Sequence, residues 1–227
     1  MLAASVLTAG AAGAVLPLEG FLRLGGTQLD LRGSAVTDAD LQALGDSRFS
    51  GVTAVLLART RVTDAGLAFI ARLPRLAVLD LYGTTVTGTG LGRLGALPLR
   101  ELDITGTTAD DAALAVLRGL PLAALSAGAT RVTGAGLAHL RGLPLVRLDL
   151  SHTAVGDDGL VNLAGLSALA RIDLSYTNVT DRGLAFLEQP AALAEVNLTG
   201  TAATAGGIER LKAARPALRV YSTPAPR

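Results

Sequence analysis

The chain has 227 residues, 20 Lys and Arg against 19 Asp and Glu, half of its residues apolar, 3% aromatic and no Cys. A net charge of +1 with so few aromatics argues against a nucleic-acid binder, which needs a one-sign electrostatic footprint and stacking platforms. The absence of Cys excludes disulfide frameworks, thiolate nucleophiles and thiolate-held zinc.

Residues 1–18 carry no charged side chain and are rich in Ala and Leu. That tract has the apolar stretch of a secretory signal but lacks a basic leader, and its Gly-rich middle and Pro17 make a poor spanning helix. A tract packed on the first structural unit is the expected reading, with the cytoplasm as the compartment. A secreted or envelope location follows if residues 1–18 act as a signal. Next, Leu22 to Leu24, Gly25-Gly26 and Gln28 to Leu31 predict a hairpin, because Gly-Gly supplies the positive φ of a tight turn. Residues 1–28 are therefore assigned to an apolar tract and a capping hairpin.

From Leu29 onward the chain repeats itself. One frame starts at Leu29, Val55, Leu79, Leu102, Leu125, Leu148, Ile172 and Val196, at offsets of 26, 24, 23, 23, 23, 24 and 24. Five residues after each start stands a hydroxyl, from Ser34 and Thr60 through Thr201; aliphatics follow at fixed places, such as Leu67 and Ile70. The apolar-x-apolar start predicts a short strand, and the later aliphatics three apart predict one face of a short helix. Thr37, Thr63, Thr87, Thr133, Thr180 and Thr204 stand where an N-cap oxygen accepts a free backbone N–H. Asp38, Asp64, Asp157 and Asp181 follow at the positive end of the helix dipole. A strand-turn-helix unit of this size cannot bury its apolar side alone, so the units must stack. Residues 29–211 hold eight of them; residues 212–227 form a C-terminal cap and tail, with Leu218 to Tyr221 as a truncated ninth strand.

These units resemble the leucine-rich-repeat family, whose pattern L-x-x-L-x-L-x-x-N/C-x-L recurs at roughly 20–29 residues. Thr replaces the usual Asn or Cys here. The V-T-D-x-G-L turn at Val62–Leu67 is similar to bacterial repeats and, loosely, to those of F-box-associated receptors. The resemblance implies an α/β solenoid, a horseshoe with a parallel sheet on its concave face and short helices on its convex face. It also implies a hydroxyl column that serves the buried turn backbone as the Asn ladder does in the usual form.

In this frame the residues beside the strand aliphatics face solvent. Arg147-Leu148-Asp149-Leu150-Ser151-His152 and Arg171-Ile172-Asp173-Leu174-Ser175-Tyr176 present Arg, Asp, Ser and a ring twice in succession. Arg147, Asp149, Arg171, Asp173 and Tyr176 are the leading candidates for partner contact, with Arg able to grip a carboxylate bidentately; a solvated face on which Arg and Asp neutralise each other is the competing reading. Leu56 and Tyr82 form a second, apolar candidate. Catalysis needs a base within reach of its partner, but His139 falls on the helix side and His152 at a strand end, so no catalytic residue is assigned. Gly88-Thr89-Gly90-Leu91-Gly92 imitates a phosphate loop without its Lys, and glycines recur at the place of Gly90 in other repeats. No metal site and no cofactor is expected. The expected function is a monomeric, non-catalytic scaffold binding a protein partner through the concave sheet, with no nucleic acid and no membrane span. The alternatives are a substrate-recruiting subunit or effector of a ubiquitin-ligase-like complex, or a secreted or envelope ligand sensor.

Overall fold

The computed structural model describes residues 16–223; most of the apolar N-terminal tract and the last four residues lie outside them. Ten strands form one sheet in chain order: β1 (Leu22–Arg23), β2 (Gln28–Asp30), β3 (Ala54–Leu56), β4 (Val78–Asp80), β5 (Glu101–Asp103), β6 (Ala124–Ser126), β7 (Arg147–Asp149), β8 (Arg171–Asp173), β9 (Glu195–Asn197) and β10 (Arg219–Tyr221). Only β1 and β2 pair antiparallel, across a turn with Gly25 and Gly26 at φ of 67° and 89°; every other neighbouring pair is parallel and in register. In each strand from β2 to β9 the middle aliphatic is buried. The helical segments are short, α as at Leu67–Ile70 or 3-10 as at Gly134–Leu140, and the last, Ala205–Ala214, is the longest of those described. Their aliphatics, such as Leu67, Ile70, Leu91 and Leu94, close the core from the other side. The architecture is an α/β repeat fold.

All eight column hydroxyls donate to the carbonyl three residues earlier, at 2.6 to 2.8 Å; Thr60 Oγ1 to Leu57 O is one case, Thr201 Oγ1 to Leu198 O another. These bonds close the turn within a repeat, so the hydroxyl column is a row of local clasps.

The link between repeats is made by the aspartates instead. Asp38, Asp64, Asp111, Asp157 and Asp181 each accept both the backbone N–H and the hydroxyl of a Thr one repeat later: Thr63, Thr87, Thr133, Thr180 and Thr204. Four of those threonines also accept a helical N–H at 3.1 to 3.2 Å, as N-caps do. Hydrogen bonds from Thr204, first from its backbone and then from its hydroxyl, hold the Asp181 carboxyl below its ordinary range. In the first repeat Asp40 takes this place: it accepts Leu16 N at 2.7 Å and both Thr37 donors at 2.8 Å. Burial pushes the Asp40 carboxyl up, but these bonds outweigh it and its pKa is lowered. A carboxyl with a lowered folded pKa gives stability that is complete above the unfolded value, about pH 4, and lost as pH falls through the folded value. Asp40→Ala is therefore expected to destabilise the chain by about 2–4 kcal/mol at neutral pH, with a smaller difference below pH about 4, measured by urea unfolding across that range.

Four residues past each middle aliphatic the backbone is left-handed in all eight repeats: Gly33, Arg59, Gly83, Gly106, Ala129, His152, Tyr176 and Gly200, with φ from 51° to 70°. There each N–H donates to a carbonyl of the next unit, as Gly83 N does to Thr105 O at 2.9 Å, extending the ladder past the strand. Ala129 is exposed and pays the steric cost of this conformation, about 1–2 kcal/mol, with no packing in return. Ala129→Gly is expected to gain about 0.5–1 kcal/mol after Gly's greater unfolded-state freedom is subtracted, read as a higher urea midpoint at unchanged slope.

Candidate functional site

The sheet side presents two rows, set by the strand alternation. One runs Gln28, Ala54, Val78, Glu101, Ala124, Arg147, Arg171, Glu195, Arg219; the other runs Asp30, Leu56, Asp80, Asp103, Ser126, Asp149, Asp173, Asn197, Tyr221. Over β4 to β10 they floor an open hollow of about 730 Å³. Arg147, Asp149, Arg171 and Asp173 all line it. Tyr176 does not. Its left-handed backbone turns it onto the rim, where it is 47% exposed and stacks on His152 with ring centroids 4.4 Å apart. Leu56 lies in the second row between Asp30 and Asp80, outside the residues that line the hollow, and Tyr82 stands past the end of β4 with the Arg59 guanidinium 5.3 Å from its ring centre.

The arginines do not pair with the neighbouring aspartates. Arg147 reaches across Ala124 to Glu101 at 3.3 Å, and Arg171 and Arg219 share Glu195 at 3.1 Å. Both arginines of the hollow are more than half exposed, so each pair contributes under about 1 kcal/mol. Glu101, Glu195, Asp80, Asp103 and Tyr221 also line the hollow and were missed as site residues; their place in the two rows was the available signal.

The aspartates are turn residues. Oδ1 of Asp80, Asp103, Asp149 and Asp173 accepts the backbone N–H two residues on, at 2.8 to 2.9 Å, and Asn197 does the same for Thr199. Asp30 is gripped by Arg32 through two bonds, 2.9 and 2.8 Å, and that side-chain hydrogen bonding lowers its pKa. Asp80 moves the other way: burial raises its pKa, and the charges of Asp103 on the next strand and Asp30 two strands away add to this against the Tyr82 N–H and the Arg32 charge. A raised carboxyl pKa means the charged form costs stability above the folded value, a cost relieved as pH falls through it. Asp80→Asn keeps the turn acceptor and removes the charge, so it is expected to stabilise by under about 1 kcal/mol at pH 7. The gain should vanish below pH about 4, checked by paired urea curves at the two pH values.

His139 contacts the Arg118 guanidinium at 3.3 Å on the helix side, while His152 is committed to Tyr176. Among the described residues no hydrogen bond joins His152 to Ser151 or Asp149, and no cluster of His, Asp or Glu is arranged to hold a metal ion. The loop at Gly88 to Gly92 is explained by packing: a Cβ on Gly90 would stand 2.4 Å from Asp64 Oδ1, and one on Gly88 2.9 Å from Ala113 Cα.

Residues 144–164, which carry β7 and its turn, match the family model described as Leucine Rich repeat. That segment is a leucine-rich repeat, and the match covers one unit of the sheet's repeating frame. No curated protein matches it. Leucine-rich repeats generally mediate protein–protein interaction and are typically non-catalytic, which fits a face built from paired side chains and turn carboxylates. Among the described residues no helix is long and apolar enough to cross a membrane.

Proposed function

We propose that the chain is a monomeric, non-catalytic scaffold that holds a protein partner against the sheet side of a curved solenoid, a horseshoe with the helices on its convex face. The observation that carries this reading is the 730 Å³ hollow over seven consecutive strands. Its floor belongs to strands locked in register by the Asp–Thr links and the strand ladder, so the surface is ordered before any partner arrives. Pre-ordering lowers the entropy cost of association. Residues 1–28 are divided between the apolar tract, most of it outside the described residues, and the capping hairpin, with 29–211 as the eight repeats and 212–227 as the C-terminal cap and tail. Arg147, Asp149, Arg171 and Asp173 are the central contacts, with Tyr176 at the rim and Leu56 and Tyr82 toward the N-terminal end.

A steric block tests the face without altering charge. Ala124→Trp/Ser126→Trp fills the middle of the hollow, and Ala138→Trp places the same bulk on the helix side. The affinity-tagged chain is expected to capture a partner from its native lysate as wild type and as Ala138→Trp, and to lose it as the double variant. Loss in Ala138→Trp with retention in the double variant would move the contact to the helices. Capture of nothing by any of the three would count against a scaffold.

A further inference from the structure

Resting on the sheet-side reading, we infer that the hollow takes a basic, extended segment of its partner protein, with arginine or lysine side chains seated on Asp80, Asp103 and Asp149. The hollow is lined by six carboxylates and two arginines. Those arginines are already held by Glu101 and Glu195, and Asp173 Oδ2 is taken by Asn197 Nδ2 at 2.9 Å. Asp80, Asp103 and Asp149 each spend Oδ1 on a backbone N–H, and their Oδ2 atoms take no hydrogen bond from any described residue. The uncompensated charge of this face is therefore negative and lies along the second row of the sheet.

Spacing narrows the occupant. Asp80 and Asp103 are register neighbours, about 4.8 Å apart across the sheet, close enough for one guanidinium to bridge. Asp149 lies three strands beyond Asp80, about 14 Å away, the reach of four residues of extended chain. A segment crossing the strands thus meets both positions with basic side chains four apart. Like charges at neighbouring register positions repel, and a cation placed between them turns that repulsion into attraction. Acidic partners and nucleic acid meet the opposite sign.

The test is fluorescence anisotropy of the full chain with fluorescein-labelled nona-arginine and nona-glutamate at about 50 mM salt, where screening is modest. Four proteins are compared: wild type, Asp80→Asn/Asp103→Asn/Asp149→Asn, Arg147→Gln/Arg171→Gln, and the helix-side Asp158→Asn. Asn retains the turn acceptor, as Asn197 shows, and circular dichroism confirms that each variant is folded. Nona-arginine is expected to bind wild type and Asp158→Asn alike, and the triple variant about tenfold more weakly or less. Equal binding to the triple variant overturns the inference, as does binding of neither peptide to wild type. Preferential binding of nona-glutamate, lost in Arg147→Gln/Arg171→Gln, overturns the basic occupant while leaving the sheet-side reading intact; the tryptophan blocks judge that reading separately.

Discussion

Gly183→Ala is expected to destabilise the chain by about 2–4 kcal/mol, although Ala is the better helix former by about 1 kcal/mol. The opposite signs make the result decisive. A Cβ on Gly183 would stand 2.4 Å from Asp157 Oδ1 and 3.1 Å from both Leu160 Cδ1 and Val179 Cγ1. The Asp157 carboxylate has nowhere to retreat without releasing Thr180 N and Thr180 Oγ1, held at 2.8 and 2.6 Å. Gly66, Gly90, Gly136 and Gly207 meet Asp38, Asp64, Asp111 and Asp181 in the same way. The chain contains its own control. At one junction the earlier repeat has Gly88 in place of the aspartate and the later one tolerates Ala113, which packs against Gly88. At the other, Gly134 lies so close to Gly159 that a Cβ on Gly159 would stand 2.4 Å from Gly134 Cα, so room for Ala also depends on the backbone approach. Asp157→Gly added to Gly183→Ala is therefore expected to cost less than the sum of the two single changes, with a coupling of about 1–2 kcal/mol, measured by urea unfolding of all four proteins. Additivity within about 0.5 kcal/mol would sink the account of the glycine column.

That pairing shows where reading the sequence stops. The strand aliphatics, the hydroxyl column and the helix aliphatics recur within every unit, so period and burial made them legible. Asp64 and Thr87 were legible only as local devices, a charge on a helix dipole and an N-cap. Their bond to each other spans 23 residues and has no trace inside one repeat. The recurrence of an Asp in one unit with a Gly at a fixed place in the next, as in Asp64 and Gly90 or Asp157 and Gly183, was its signature. The candidate site divides along the same line. Strand alternation placed Arg147, Asp149, Arg171 and Asp173 on one face, but their ion-pair partners depended on which neighbours are small. Arg147 reaches Glu101 because Ala124 lies between them. Tyr176 escaped the pattern because strand geometry ends before it, and its positive φ sends the ring to the rim beside His152.

Arg215→Met is expected to destabilise the C-terminal units by about 1–3 kcal/mol, because charge-assisted hydrogen bonds are lost while acceptors that are in part buried remain. Arg215 ends the last helix just before Pro216, and Leu218 N donates back to its carbonyl at 2.9 Å. Its guanidinium faces the closing turn of the preceding repeat: Nη1 donates to Glu188 O at 2.7 Å and Nη2 to Leu193 O at 3.0 Å, with Leu187 O, Pro190 O and Ala191 O within 3.5 Å. The clamp fixes the approach to β10, the edge strand that carries Tyr221 at the end of the hollow. A planar fork spreads donors over several carbonyls, whereas an ammonium concentrates them at one point. Arg215→Lys should therefore recover less than about half of the loss. Hydrogen exchange locates the effect: protection should fall first at Leu198 N and Arg219 N, which pair β9 and its following turn with β10, while amides of β3 to β6 exchange as in wild type. Full rescue by Lys would show that charge alone matters at this position. Uniform loss of protection along the sheet would show that the repeats unfold as one cooperative unit, and that an anchor on the last of them stabilises the hollow as a whole.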